Sequence, residues 1–183
     1  MPIEPLLLVS TDMVAVALGG FVAYPAGTEF TLAVRRRSGA EDSEWIDRQM
    51  HLRRRRGGDV PPEFLRLGVE FADARRATNL GWHAQFEPGE GTPDRPVLVD
   101  RGGGGGGTRF DQRYWLWPLP PPGRLSFVAE WPREGVVLTR VDVDARSFLE
   151  AATRARTLWE PTASPHGGVT RQSQFSSSTE LST

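Results

Sequence analysis

A chain of 183 residues, 38% apolar and 25% charged, has material for one core and too much apolar content for wholesale disorder. The formal net charge of −1 supplies no global field toward nucleic acid or a membrane surface. All 22 basic residues are Arg and there is no Cys, which excludes lysine Schiff bases, a P-loop lysine, disulfides, thiolate catalysis and zinc held by Cys.

The start, MPIEPLLLVS, has no basic n-region, and its apolar run covers only Leu6 to Val9. It predicts neither a signal peptide nor a membrane span, and a cytoplasmic protein is expected. Val14, Val16 and Leu18 then alternate with smaller residues, and Gly19-Gly20 predicts a bulge or bend. Val22 and Tyr24 resume the alternation. Pro25-Ala26-Gly27 matches a type II turn, and Phe30, Leu32 and Val34 share one face beyond it.

Residues 38–62 are less regular and predict a long excursion between strands, with a short helix around Trp45 and Met50. In EFLRLGVEFA, Leu65, Leu67, Val69 and Phe71 face one way, and Arg66 and Glu70 the other. Asp73 to Trp82 is a further strand or a return loop, residues 86–96 form a connector, and RPVLVDR is a short strand.

Six glycines, Gly102 to Gly107, come next. A phosphate cradle needs a helix N-terminus after the glycines, whereas TRFDQRYWLW alternates as a strand, with Phe110, Gln112, Tyr114 and Leu116 opposite Asp111, Arg113, Trp115 and Trp117. The glycines therefore predict a mobile hairpin connection. After the Pro120-Pro121-Pro122-Gly123 turn, Leu125, Phe127, Ala129 and Trp131 share a face, and VVLTRVDVD is the last strand. Asp144 suits the N-cap of a helix over 144–159, with Phe148, Ala152, Ala155 and Trp159 on one stripe. The Ser/Thr/Gly/Gln-rich residues 161–183 predict a disordered tail.

The expected fold is mainly β: one antiparallel β-sandwich domain over 1–160, immunoglobulin-like or jelly-roll-like, with a C-terminal helix. A partly open barrel is the nearest alternative.

Chemistry is sparse. His51, His83 and His166 are far apart in sequence and form no metal motif. Glu130, Asp142 and Asp144 on neighbouring strands, or His83, are the only candidates for acid–base work. The triad of nucleophile, base and oxyanion donor cannot be filled. Trp115, Trp117 and Trp131 form either a stacking platform for sugars or part of the core with Trp159, and core packing is the expectation. The run Arg53, Arg54, Arg55, Arg56 is a basic loop with Glu41, Asp42, Glu44 and Asp47 nearby to neutralise it.

The stretch YWLWPLPPPGRLSFVAEWP, followed by TR and then EAATRARTLW, resembles a recurrent group of β-rich proteins from GC-rich bacteria. The resemblance covers about 101–159, and more weakly 14–36. It implies a shared domain that includes the glycine stretch, and it implies no activity and no catalytic residues.

The function expected is a non-catalytic module that binds another protein, through the arginine loop and the rim of the glycine and proline turns. The alternatives are a carbohydrate or small-ligand module using the three tryptophans, and a hydrolase with a carboxylate or His site. No cofactor, metal, nucleic acid or membrane is expected to take part.

Overall fold

The computed structural model describes residues 4–37, 59–80 and 95–156. The expected basic loop Arg53–Arg56, His51, His83, His166, Trp159 and the tail over 161–183 all lie outside them. The described chain is mainly β, in two antiparallel sheets with one C-terminal helix.

The strands are β1 (Leu6–Ser10), β2 (Val14–Tyr24), β3 (Gly27–Arg36), β4 (Arg66–Glu70), β5 (Arg76–Thr78), β6 (Val97–Gly106), β7 (Arg109–Trp117), β8 (Arg124–Trp131) and β9 (Val136–Asp144), followed by helix α1 (Arg146–Thr153). One sheet has the order β1-β2-β3-β7-β6 and the other β5-β4-β8-β9. Their inner faces enclose a single apolar core. Val16, Leu18, Phe30, Leu32, Val34, Phe110 and Tyr114 come from the first sheet, and Leu67, Val69, Leu125, Phe127, Ala129 and Trp131 from the second. These are the positions that period-two alternation selects, because successive side chains leave opposite faces of a strand. Phe30 and Phe127 meet across the interface with centroids 5.6 Å apart, edge to face.

The bulge expected at Gly19-Gly20 is present: the β2–β3 register shifts between Gly19 and Val22, with Gly20 at φ 61°. Its effect on phase is larger than the alternation suggested. Before the bulge Val14, Val16 and Leu18 point inward; after it Phe21 turns in, and Val22 and Tyr24 turn out. Phe21 then packs against Phe30 (5.7 Å), Phe127 (6.0 Å) and Phe148 of α1 (5.4 Å, edge-on). One extra residue thus joins both sheets and the helix.

The hairpin that follows turns on Pro25-Ala26, with Tyr24 opposite Gly27. The expected type II turn is replaced, since it needs φ > 0 at its third residue and neither Ala26 nor Gly27 has it. Gly27 is already in β3, where its backbone runs beneath the Trp115 ring.

The hexaglycine corrects another expectation. Most of it is strand: β6 continues through Gly106, with Gly103 to Gly106 opposite Gln112 to Arg109 of β7, and only Gly107 lies in the hairpin turn, with Thr108. A bulge at Arg101-Gly102 separates this half from Val97–Asp100. The Asp100 carboxylate pins the bulge by accepting the Gly102 N–H (2.7 Å) and the Gln112 side-chain amide. The physical reason is that β7 needs partners for its backbone groups on both sides. Glycine weakens a strand by roughly 0.5–1 kcal/mol per residue, and the ladder with β7 offsets this.

Helix α1 is shorter than the stripe predicted. Phe148 and Ala152 are buried, but the helix ends at Thr153, and Ala155 is exposed. Asp144 caps it one residue early, its Oδ1 accepting the Arg146 N–H at 2.9 Å.

Two clamps hold the four-stranded sheet. The Asn79 side chain accepts from Leu67 N (2.8 Å) and donates to Leu65 O (3.0 Å) and to the Tyr114 hydroxyl of the opposite sheet (3.4 Å). Trp131, 1% exposed, donates its indole N–H to Glu63 O at 2.8 Å.

Because Gly20 sits in left-handed space and aims Phe21 into the core, two substitutions should reveal the joint. Gly20→Ala should cost about 1–2 kcal/mol through backbone strain, and Phe21→Ala about 2 kcal/mol, below the range for a fully buried phenylalanine because the ring is only partly buried. Urea unfolding measures both. A neutral Gly20→Ala would mean that the bulge is not needed.

Candidate functional site

The outer face of the five-stranded sheet carries the most distinctive surface. On β2 the outward positions before the bulge are Ala15, Ala17 and Gly19; on β3 they are Thr31 and Ala33; on β6 they are glycines. Small residues in register across neighbouring strands leave a depression. The result is an open trough of about 580 Å³, floored by Ala17, Gly19, Gly20, Thr31 and Ala33 and reaching from Pro5 to Gly103-Gly104.

Charged walls come from β3 and β7. Arg35 pairs with Asp111 at 2.7 Å and donates to Val34 O (2.8 Å) and Phe110 O (3.3 Å), so it is held flat along the sheet. Arg113 is exposed and reaches the Arg101 carbonyl at 3.5 Å. Further along the same face, Trp115 lies between the Tyr24 ring (5.5 Å) and the Arg101 guanidinium (5.9 Å). Val22 and Tyr24 are 45% and 42% exposed. Alternation alone missed them as surface residues, because it does not register the change of phase at the bulge.

The sequence-selected tryptophans are not brought together. Trp115 and Trp117 share the outer face of β7 and are half-buried, whereas Trp131 points into the core from β8 in the other sheet. The core expectation describes Trp131 alone, and a three-ring platform does not form.

The carboxylates separate too. Glu130 forms an ion pair with Arg66 at 2.7 Å. Asp142 stands opposite Ser126, four residues along β8 from Glu130, which is about 13 Å of strand. Asp144 is occupied by Arg146 at 2.9 Å. Among the described residues no three His, Asp or Glu side chains group as metal ligands.

What the outer face of the four-stranded sheet does contain is an ion ladder. Arg140 donates to Glu70 (2.6 Å), to the buried Ser126 hydroxyl (2.6 Å) and to Asp142 (3.0 Å), and Arg76 pairs with the other Glu70 oxygen at 2.6 Å. The Arg140 and then the Arg76 hydrogen bonds hold the Glu70 carboxyl below its ordinary range. The Ser126 hydroxyl and then Arg140 do the same for Asp142. Every partner in the ladder is spoken for, so its chemistry is that of a strap across β5, β4, β8 and β9.

No family model, no curated protein and no solved structure matches this chain. No helix among the described residues is long and apolar enough to cross a membrane.

Two predictions follow from these faces. The glycines of β6 differ by position. A Cβ at Gly103 or Gly105 would overlap a carbonyl oxygen of β7, whereas at Gly104 and Gly106 nothing lies within 4 Å. Gly104→Ala should therefore be neutral or stabilising by up to about 1 kcal/mol, and Gly105→Ala should destabilise by more than that; thermal melts of the pair measure the contrast.

The ladder contributes to the acid limb of stability. Folding lowers the pKa of Glu70 and Asp142, so their ion pairs contribute fully above the ordinary carboxylate range near pH 4. That contribution is lost as pH falls through the lowered values. Glu70→Gln should melt below wild type at neutral pH, and the gap should narrow progressively as the melts are taken below the ordinary carboxylate range. A gap independent of pH would mean that Glu70 contributes by packing alone.

Proposed function

We propose that this chain is a non-catalytic protein-binding module of immunoglobulin-like topology, and that it recognises its partner with the outer face of the five-stranded sheet. The observation that carries the reading is the phase change in β2. It delivers Val22 and Tyr24 to the same face as Trp115, Arg101, Arg35 and Arg113, beside a floor of Ala, Gly and Thr. Tryptophan, tyrosine and arginine are the residue types that dominate binding energy at protein interfaces. A floor of small residues lets a partner's side chains, or its backbone, approach the sheet closely.

The topology is in keeping with this. Setting β1 aside, β2-β3-β7-β6 facing β4-β8-β9 has the connectivity of immunoglobulin strands ABED facing CFG, and β5 adds a short hairpin beside β4. Flat sheet faces and edges are working surfaces in such sandwiches. Small-residue floors favour an extended or sheet-like partner, whose backbone can lie close against the sheet.

The test is capture of partners from the cells that make the protein, followed by affinity measurement with the purified partner. Thr31→Arg and Ala33→Arg fill the floor without touching the core. Each should weaken the complex by about tenfold or more while leaving the melting temperature near wild type. A partner bound equally well by both variants would remove this face from recognition.

A further inference from the structure

We propose that the outer edge of β6 at Gly103–Gly106 is a strand-addition site, and that it takes an extended segment of a partner protein with acidic residues at alternate positions. This rests on the protein-binding reading and names the partner's chemistry and its mode of attachment.

The four sheet edges differ in how they are protected. An edge strand presents unpaired backbone donors and acceptors, and proteins blunt it with shortness, bulges, prolines or charges. β1 is five residues long with a register shift between Leu7 and Val9. β5 is three residues long. β9 carries Arg140, Asp142 and Asp144 at alternate positions. β6 is ten residues long, its bulge at Arg101-Gly102 lies before Gly103–Gly106, and those four residues bring no proline and no charge to the edge. They run in unbroken register with β7, carry no side chain, and are exposed. Among the described residues no strand pairs with their outer side.

Bare glycines also decide what an incoming strand would sense. Gly104 and Gly106 stand opposite Asp111 and Arg109, whose side chains lie on the outer face with Arg113. A strand added to β6 lies two strand spacings from β7, about 10 Å. Over an ordinary strand the intervening side chains would block that span. Here nothing stands within 4 Å of where they would begin. Acidic side chains of the incoming strand therefore reach across the glycines to Arg109 and Arg113, both exposed. The carboxylate in the row, Asp111, is engaged by Arg35 at 2.7 Å, which leaves the row cationic toward a visitor. Backbone pairing supplies affinity, and the arginines supply selection for acid.

The probe is a synthetic nonapeptide alternating Glu with Val, titrated into the full chain, with amide exchange followed at Gly103–Gly106. Its control has the same side chains but N-methyl groups on alternate amides, which removes backbone donors and keeps the charge. Binding should slow exchange at the glycines, and methylation should weaken it by about tenfold or more. Gly104→Glu/Gly106→Glu should weaken it similarly by like-charge repulsion, while Gly104→Ala/Gly106→Ala should bind as wild type and show that the fold tolerates substitution there. Equal affinity for the methylated peptide would reduce the effect to charge attraction and overturn strand addition. So would protection appearing at β9 in place of β6, or no binding at all. If strand addition falls in this way while Ala33→Arg still releases the captured partner, the protein-binding reading stands without it. If Ala33→Arg changes nothing and methylation weakens the peptide, the edge site stands and recognition by the sheet face falls.

Discussion

The fold depends on a change of phase within a single strand. β2 enters with its even-numbered residues inside and leaves with its odd-numbered residues inside, because Gly20 adopts a left-handed conformation and the register slips there. Without the slip, Phe21 would point to solvent, and the contacts it makes with Phe30, Phe127 and Phe148 would be lost. Those contacts bring together β3, β8 and α1, which share no backbone ladder with one another. A ring packed against three others contributes about 0.5–1.5 kcal/mol per favourable aromatic pair beyond its area. The same slip exports Val22 and Tyr24. Core and recognition face are thus two products of one backbone conformation.

The two sheets have divided their labour. The four-stranded sheet is fastened on its outer side by the Glu70, Arg76, Arg140 and Asp142 ladder, which spans all four strands with charged pairs. The outer side of the five-stranded sheet has a trough floored by alanines, glycines and threonine, with the Arg35–Asp111 pair lying flat beside it and Tyr24 and Trp115 further along. Long arginines that bridge strands keep a sheet solvated and closed to visitors, while a floor without long side chains leaves the backbone within reach. With no lysine in the chain, every cation here is a planar guanidinium, suited to lying along a strand and to stacking on Trp115.

Much of the architecture was legible in the order of residues. Leu65, Leu67, Val69 and Phe71, or Leu125, Phe127, Ala129 and Trp131, announce their strands and their buried face because alternation is a local property of the chain. The glycine run was not legible. Its residues have no side chains to alternate, so composition pointed to flexibility, while their conformation is imposed by a partner strand whose backbone must be paired. The candidate site was hidden for a related reason. Nothing in the letters around Gly19-Gly20 says which way Val22 will face once a residue has been inserted, although the glycine pair did mark the place. The tryptophans show the limit of residue type as a guide: Trp115 and Trp131 have the same chemistry, and it is the face of the strand from which each projects, outer on β7 and inner on β8, that separates a half-buried outer-face ring from a core ring.

The Asn79 side chain has a consequence for how the molecule comes apart. It grips the backbone at Leu67 of β4 and at Leu65 just before it, and touches Tyr114 of the facing sheet. The short β5 edge would otherwise be free to peel away, as three-residue strands commonly fray. Tied in this way, it has no private route to opening: releasing it strips a half-buried amide of its partners and loosens the seam between the layers. The smallest strand of the sandwich is thereby made to share the cooperativity of the whole.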